Sequence, residues 1–282
     1  MTRSTRRNVL GMVSACTAGL LHVRHARAAP EAQANDAGNV CILTPQAEEG
    51  PFYVDPRLVR SDVADGKPGV PLTLRLRVIE AGPCTAIAGA RVDIWHCDAQ
   101  GLYSAFRGQG DHHDVDQSGA TFLRGTQLTD AAGWVAFNTI YPGWYDGRAT
   151  HIHFKVFLDE QNVLTGQTYL PDALNEFIYT SVGAYQGRAR ERAVVNVNDP
   201  VVAYSDPERR AFCAVKEERE RYLATLTLGV DRRARGATER HRGPPPGPPP
   251  GGLADRFPGG GPPWIQPLKD RLAALIPGLK RN

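Results

Sequence analysis

Residues 139–156 read Thr-Ile-Tyr-Pro-Gly-Trp-Tyr-Asp-Gly-Arg-Ala-Thr-His-Ile-His-Phe-Lys-Val, and polar and apolar residues alternate from position 151 onwards. Such alternation is typical of a β-strand with two different faces. Side chains two positions apart share a face, so His151 and His153 point the same way, roughly 6–7 Å apart along the strand. Two imidazoles at that separation can tilt onto one metal ion with bonds of about 2 Å. An exposed pair of histidines that binds no metal is the simpler alternative.

The residues before the strand contribute further polar side chains close to the histidine pair in the sequence. Pro142-Gly143 opens a turn, and Tyr141, Tyr145 and Arg148 lie around it. Phenols, a guanidinium and two imidazoles together indicate a metal site for an aromatic or anionic substrate. The pattern alone leaves both tyrosines open as ligands, and we favour Tyr145 because it follows Pro-Gly-Trp.

The N-terminus predicts an export signal. Arg6 and Arg7 precede a modestly apolar run, Ala26-Arg27-Ala28 resembles a cleavage site, and no acidic residue occurs before Glu31. These features indicate a twin-arginine signal peptide over residues 1–28, and hence a periplasmic or extracellular protein. A basic amphipathic helix is the alternative.

The charge is unevenly distributed along the chain. Residues 1–28 contain five arginines and no acid, and residues 231–282 contain ten basic and four acidic residues. Because the whole chain has a formal net charge of +3, residues 29–230 carry −8. An acidic central region argues against nucleic acid as a partner.

Four cysteines remain after the predicted signal peptide, namely Cys41, Cys84, Cys97 and Cys213. In an exported chain they permit one or two disulfides, and the sequence does not choose among the pairings. Their spacing matches no zinc motif. We therefore interpret them as bridges or as buried thiols.

Short alternating stretches separated by Gly and Pro turns predict an all-β fold. We expect a β-sandwich of mainly antiparallel strands with few short helices. The predicted strands cover residues 72–78, 86–97, 121–127, 134–138, 151–158, 194–197 and 222–230. Helices are expected to begin at Pro171 and at Asp206, the second running to Glu218.

The composition changes near the C-terminus. We divide the chain into the signal peptide, a β-sandwich domain over residues 29–232, a disordered Pro/Gly-rich linker over 233–263 and a short amphipathic tail over 264–282. The tail pattern is compatible with contact to a membrane surface or a partner. A disordered tail, or a helix folded back on its own domain, is the interpretation that we favour somewhat.

Three separated stretches carry a family resemblance. They are residues 91–104, residues 122–127 and residues 141–156, the last with the pattern Tyr, Pro-Gly-x-Tyr, Arg-x-x-His-x-His. Together they resemble the intradiol ring-cleavage dioxygenases, the family of the catechol and protocatechuate dioxygenases. The resemblance covers roughly residues 41–231.

The resemblance implies a non-haem ferric centre, Fe(III), and assigns its residues one by one. Tyr103 and Tyr145 match the tyrosinate ligands, and His151 and His153 match the histidine ligands. Arg148 matches the arginine that steadies negative charge on the substrate ring, and Gln167 matches a glutamine beside the oxygen-binding space. The implied reaction inserts both atoms of molecular oxygen into a catechol-type aromatic and gives a cis,cis-muconate-type product.

Several alternatives remain at this stage. Only Asp146 and Gly147 separate Tyr145 from Arg148, a shorter connection than the well-studied catabolic members carry, which predicts a more open site. The chain could instead be an exported zinc- or copper-binding protein, or a non-catalytic carrier or adhesion domain. His96 is expected to be structural, and the polar stretch 111–116 to be solvated. A homo-oligomer is compatible with the sequence.

Overall fold

The computed structural model describes residues 42–55, 57–188 and 191–237. The regular elements of this region are nine strands, two short α-helices and one 3-10 turn, so the prediction of an all-β fold is confirmed. The predicted signal peptide, the linker beyond residue 237 and the tail over 264–282 lie outside the described residues. No helix among the described residues is long and apolar enough to cross a membrane.

Two sheets make up the sandwich. The strands are β1 (Pro71–Glu80), β2 (Thr85–Ala86), β3 (Arg91–Trp95), β4 (Arg124–Leu128), β5 (Trp134–Ile140), β6 (His151–Leu158), β7 (Gln161–Tyr169), β8 (Ala214–Glu217) and β9 (Tyr222–Val230). One sheet has the order β2-β1-β9-β8, with β5 also paired to β1, and the other has the order β4-β3-β6-β7. All pairs are antiparallel except β1 with β9.

The apolar faces of the two sheets pack against each other. Leu74 and Leu76 of β1 are fully buried, as are Ile152 and Phe154 of β6, and all four belong to one hydrophobic core. Burial of such side chains stabilises a domain by about 1.5–3 kcal/mol each. The residues of β6 that alternate with Ile152 and Phe154, including both histidines, therefore face away from the core.

The helices follow β7. Helix α1 spans Asp172–Ser181 and begins after Pro171, as predicted, and a 3-10 turn follows at Gly183–Tyr185. Helix α2 spans Pro200–Ser205, with Asp199 as its N-cap. Asp before Pro at the first helical position is a typical helix start.

The helix predicted from Asp206 to Glu218 is wrong. Asp206 instead accepts hydrogen bonds from the backbone N–H groups of Arg210 and Ala211, which closes a turn. Residues 214–217 then become extended because they pair with β9. Long-range strand pairing therefore outweighs the local helix propensity of this segment.

Three strand predictions also need correction. The segment predicted over 86–97 is divided between β2 and β3, residues 194–197 form no strand, and β7 was not predicted. Residues 196–198 instead lie in a turn held by the Asn198 side chain, which accepts from the backbone N–H of Val195.

The cysteines fall into both predicted classes. Cys84 is disulfide-bonded, while Cys97 and Cys213 are free and buried. The partner of Cys84 is not among the described residues.

Candidate metal centre

The outer face of the four-stranded sheet carries the polar residues. Strand register places His153 of β6 between Trp95 of β3 and Gln167 of β7, and it places His151 beside Tyr169. Residues in register on neighbouring strands share a face and contact one another. The two histidines and Gln167 are nevertheless almost fully buried, so loops must cover this face.

The two histidines converge. The Nδ1 of His151 lies 2.7 Å from the carbonyl oxygen of Ala149, which can only accept, so Nδ1 carries the proton and Nε2 has a free lone pair. That Nε2 lies 3.0 Å from the Nε2 of His153. A separation of this size fits two nitrogens that each lie about 2 Å from a shared ion. The ring of His153 is fixed by stacking on Trp95 at 4.8 Å between centroids.

Both predicted tyrosines reach the histidine pair. The hydroxyl of Tyr145 lies 3.1 Å from the Nε2 of His151. The Tyr103 ring lies 5.7 Å from that of Tyr145 and 6.2 Å from that of His153, and its buried hydroxyl has no hydrogen-bond partner among the described residues. An unpaired buried hydroxyl costs about 1–3 kcal/mol, so a ligand for it is expected. The residues present therefore fit a metal ion held by two phenols and two imidazoles.

The electrostatics of the four groups favour their neutral forms. Burial raises the pKa of Tyr145 to about 12, although Arg148 opposes the shift, and burial raises the pKa of Tyr103 as well. Burial, with the charge of Arg148, lowers the pKa of His151 to about 3 and also lowers that of His153. The imidazoles are thus ready as ligands at neutral pH, whereas the phenols would ionise only next to a cation.

Close packing of two loops brings the tyrosines together. A Cβ atom on Gly143 would lie only 2.4 Å from the carbonyl oxygen of Asp98, and the Gly143 N–H donates to that same oxygen. The loop that precedes Tyr145 can therefore pack on the loop that precedes Tyr103 only with glycine at position 143.

A buried arginine fixes the loop of Tyr103. Arg124 donates to the hydroxyl and the carbonyl of Ser104 and to the carbonyl of Phe52. Burial lowers the pKa of Arg124 to about 10, which leaves it charged at neutral pH. Phe52 in turn stacks on the Tyr103 ring at 4.5 Å.

Arg148 lies in a polar network beside the histidines. Its Nε donates to Asp199 at 3.0 Å, its Nη2 donates to Gln167, and its Nη1 lies 4.0 Å from the carboxylate of Glu48. Burial alone would lower the pKa of Arg148, but Tyr145 and Asp199 raise it, so the guanidinium stays charged.

The N-terminal segment covers the centre. A Cβ atom on Gly50, whose φ is +73°, would lie 3.2 Å from the Cε1 of His153. Gln167 donates to the backbone carbonyl of Glu48, and Tyr53 donates to the buried carboxylate of Asp93. Residues 48–53 therefore close the outer face of the sheet over the histidine pair.

The competing residues have other partners. Tyr141 donates to Asn175 at 2.6 Å, and His96 contacts Thr139 and the carbonyl of Cys97, as expected for a structural histidine. His112 and His113 are exposed. No group of three or more His, Cys, Asp or Glu side chains in the described part of the chain could hold a metal ion.

The structure thus brings together all six predicted site residues, Tyr103, Tyr145, Arg148, His151, His153 and Gln167. The sequence reasoning missed Arg124, Asp199 and the cover formed by Glu48 and Gly50. Asp199 had an available signal in the Asp-Pro start of α2. Arg124 lies in the family-like stretch 122–127, but no role was predicted for it, because its partners lie in other parts of the chain.

Comparison with known proteins identifies the family. A family model described as Dioxygenase matches residues 46–199, more than half of the chain. The solved structure of an intradiol ring-cleavage dioxygenase from Tetranychus urticae aligns with a TM-score of 0.62 and 27% identity, covering 70% of this chain and 98% of that one. The chain belongs to the intradiol ring-cleavage dioxygenases, a family that generally uses non-haem Fe(III).

Curated relatives match over a shorter span. A catechol 1,2-dioxygenase of Acinetobacter lwoffii is 30% identical over 44% of this chain and 45% of its own length. A chlorocatechol 1,2-dioxygenase of Pseudomonas putida is 30% identical over 49% of this chain and 56% of its own length. The chain therefore spans about half the length of the curated relatives it matches.

Proposed function

We propose that this chain is a non-haem Fe(III) dioxygenase that inserts both atoms of O₂ into a catechol-type aromatic, with intradiol ring cleavage to a cis,cis-muconate-type product. The observation that carries the proposal is the convergence of four groups. The Nε2 of His151 lies within 3.1 Å of both the His153 nitrogen and the Tyr145 hydroxyl, and the Tyr103 hydroxyl beside them has no hydrogen-bond partner in the described part of the chain.

The four side chains would hold the ion as two imidazole and two phenolate ligands. When bound, the ferric ion supplies Lewis-acid chemistry and a template that orients the substrate. Tyr145 is only partly buried, so its phenolic oxygen would be able to accept one proton of a catechol bound at this site. Tyr103 is almost fully buried and is suited to remain in place.

Arg148 and Gln167 act on the substrate side. The Arg148 side chain is only 12% exposed and keeps its charge, so it can stabilise negative charge that develops on the substrate ring. Fixed charge at a preorganised site contributes several kcal/mol to such stabilisation. Gln167 holds the guanidinium with its carbonyl oxygen and the N-terminal cover with its amide.

Iron analysis, a visible spectrum and oxygen uptake with a panel of catechols test this function. We expect about one iron per chain, a broad charge-transfer band and stoichiometric oxygen uptake with a muconate-type product. The variant His153→Ala should lose iron and activity, while His112→Ala, an exposed histidine, should retain both. A colourless, zinc-loaded protein without oxygen uptake would refute the proposal.

We further propose that the protein is exported through the twin-arginine pathway. The Arg6-Arg7 pair supports this localisation, and so does the disulfide at Cys84, because stable disulfides belong mainly to oxidising compartments. Replacing both arginines by lysine should leave the protein in the cytoplasm. Equal export of the variant and the wild type would contradict the proposal.

A further inference from the structure

Asp199 is a fully buried carboxylate that accepts four hydrogen bonds. Its Oδ1 accepts from the backbone N–H groups of Val201 at 2.7 Å and Val202 at 3.0 Å, in the first turn of α2. Its Oδ2 accepts from the backbone N–H of Ala149 at 2.6 Å and from the Nε of Arg148 at 3.0 Å. The two oxygens therefore have different roles, one in the helix and one beside the candidate metal centre.

Both hydrogen-bond partners of Oδ2 are themselves hydrogen-bonded to residues of the candidate metal centre. The Arg148 guanidinium continues to Gln167, and Ala149 uses its carbonyl oxygen to accept the Nδ1 proton of His151. A displacement of Asp199 would thus reach the guanidinium through one hydrogen bond. It would reach the His151 ring through the backbone of Ala149 and the hydrogen bonds at its N–H and its carbonyl.

The surroundings of Asp199 favour a charged carboxylate over a neutral side chain. Burial would raise the pKa of Asp199, but Arg148 and the backbone N–H donors lower it, so the carboxylate stays ionised beside the guanidinium. A carboxylate can accept on both oxygens, whereas an amide has one acceptor only. No neutral side chain of similar size can satisfy all four donors.

We propose that Asp199 is a positioning residue of the active site. Its single carboxylate holds the Arg148 guanidinium towards the substrate and, through the backbone of Ala149, fixes the tautomer and orientation of the His151 ring. This inference rests on the proposed dioxygenase function for its effect on turnover, but not for its effect on the His151 ring. The competing explanation is that Asp199 only caps α2.

The variant Asp199→Asn separates the two explanations. Its amide oxygen can still accept from Val201 and Val202, so the helix cap is retained, but its NH₂ group then faces the two donors that Oδ2 had satisfied. Asp206→Asn is the matched control. Asp206 is also buried and also accepts backbone N–H groups, those of Arg210 and Ala211, which are not predicted site residues.

Three measurements decide the matter: kcat and KM, Fe(III) affinity, and the protection of the His151 Nδ1 proton by nitrogen-15 NMR of the apoprotein. We expect Asp199→Asn to lower kcat or iron affinity by about 10–100-fold, the usual effect of groups that orient metal ligands. The His151 proton should lose its protection, and Asp206→Asn should change none of the three. The same Asp199→Asn change in an Arg148→Ala background should have a smaller effect on kcat.

The outcomes are distinguishable. If Asp199→Asn and Asp206→Asn lower the melting temperature alike while kcat, iron affinity and the His151 proton stay as in the wild type, Asp199 is only a cap and the inference is overturned. If the wild type cleaves no catechol, the proposed function fails, but the affinity and NMR measurements still decide about Asp199. Should Asp199→Asn not fold, Asp199→Ser, which keeps a cap oxygen, is tested in its place.

Discussion

The hydroxyl of Tyr141 donates to the Oδ1 of Asn175 over 2.6 Å. This bond distinguishes Tyr141 from Tyr145, the other tyrosine of its loop. Its ring packs against Tyr222, as part of the hydrophobic core between the sheets. Tyr145, four residues later, has its hydroxyl beside His151 instead. The two tyrosines therefore form a matched pair for mutagenesis.

Tyr145→Phe should preserve the fold but abolish or shift the visible charge-transfer band and sharply reduce oxygen uptake, because it removes a proposed ligand and base. Tyr141→Phe should keep the band and lose about 1 kcal/mol of stability, the usual contribution of one hydrogen bond. Absorption spectra of the iron-loaded proteins and urea unfolding measure both effects. An unaltered spectrum for Tyr145→Phe would mean that another residue is the ligand.

Acid should destabilise the metal-free protein. Burial lowers the pKa of His96 to about 4, that of His151 to about 3, and that of His153 too, all from an ordinary value of 6.5. Between these values the unfolded chain binds more protons than the folded chain, so stability is full above about pH 6.5 and is lost as the pH falls. Each histidine contributes up to about 1.4 kcal/mol per pH unit in this window.

Urea unfolding of the apoprotein at several values between about pH 7 and pH 5 measures this slope. His96→Gln should reduce the slope, whatever it does to the absolute stability, because one buried titrating group is gone. His112→Gln, at an exposed position, should leave the slope unchanged. A pH-independent stability of the wild type would contradict the burial of neutral imidazoles.

The N-terminal and C-terminal ends of the described region are hydrogen-bonded to each other. Gln46 donates to the carbonyl of Arg235 and accepts from the N–H of Ala237, and Gly236 donates to the carbonyl of Asn162. Truncation after residue 242 should leave turnover intact because it removes none of these contacts. Truncation after residue 233 should lower the melting temperature and weaken iron retention. Identical behaviour of the two truncated proteins would show that the contacts are dispensable.

Glu48 should influence which catechols are accepted. Its carboxylate lies 4.0 Å from the Arg148 Nη1, and its side chain is 51% exposed at the edge of the N-terminal cover. Two unit charges at about 4 Å interact by about 1 kcal/mol in water and more near a protein surface. Glu48→Gln should therefore improve kcat/KM for catechols that bear a carboxylate by several-fold at low salt, and change unsubstituted catechol little.

Glu220→Gln is the control for this effect, since Glu220 is exposed just before β9. Its kcat/KM should be that of the wild type for both substrates. If the ratio of the two substrates is the same in Glu48→Gln as in the wild type, the charge of Glu48 plays no part in selection.

The sequence predicted those parts of the fold that depend on local alternation. The strand at His151 and the long strands β1 and β9 follow from the period of their apolar residues alone. Strand β8 did not, because residues 214–217 are extended only through their pairing with β9. The local sequence of this segment is compatible with the expected helix, and it contains no information about the pairing with β9.

The sequence likewise predicted only part of the candidate site. The histidine pair, Tyr145 and Arg148 were recognisable as candidates from their types and spacing. Tyr103 and Gln167 were predicted only from the family resemblance, and no role was predicted for the residues that hold them. Arg124 reaches Ser104 and Phe52, and Asp199 reaches Arg148 from 51 positions away. Such contacts depend on how distant loops meet, which no local pattern encodes.

The bonds of Gln46 to Arg235 and Ala237 connect positions 189 and 191 residues apart in the chain. These two bonds can therefore form only after the last strand has been synthesised. The segment over the imidazoles is also held by Gln167 and Tyr53, so its final attachment, rather than its first, depends on completed translation of the domain.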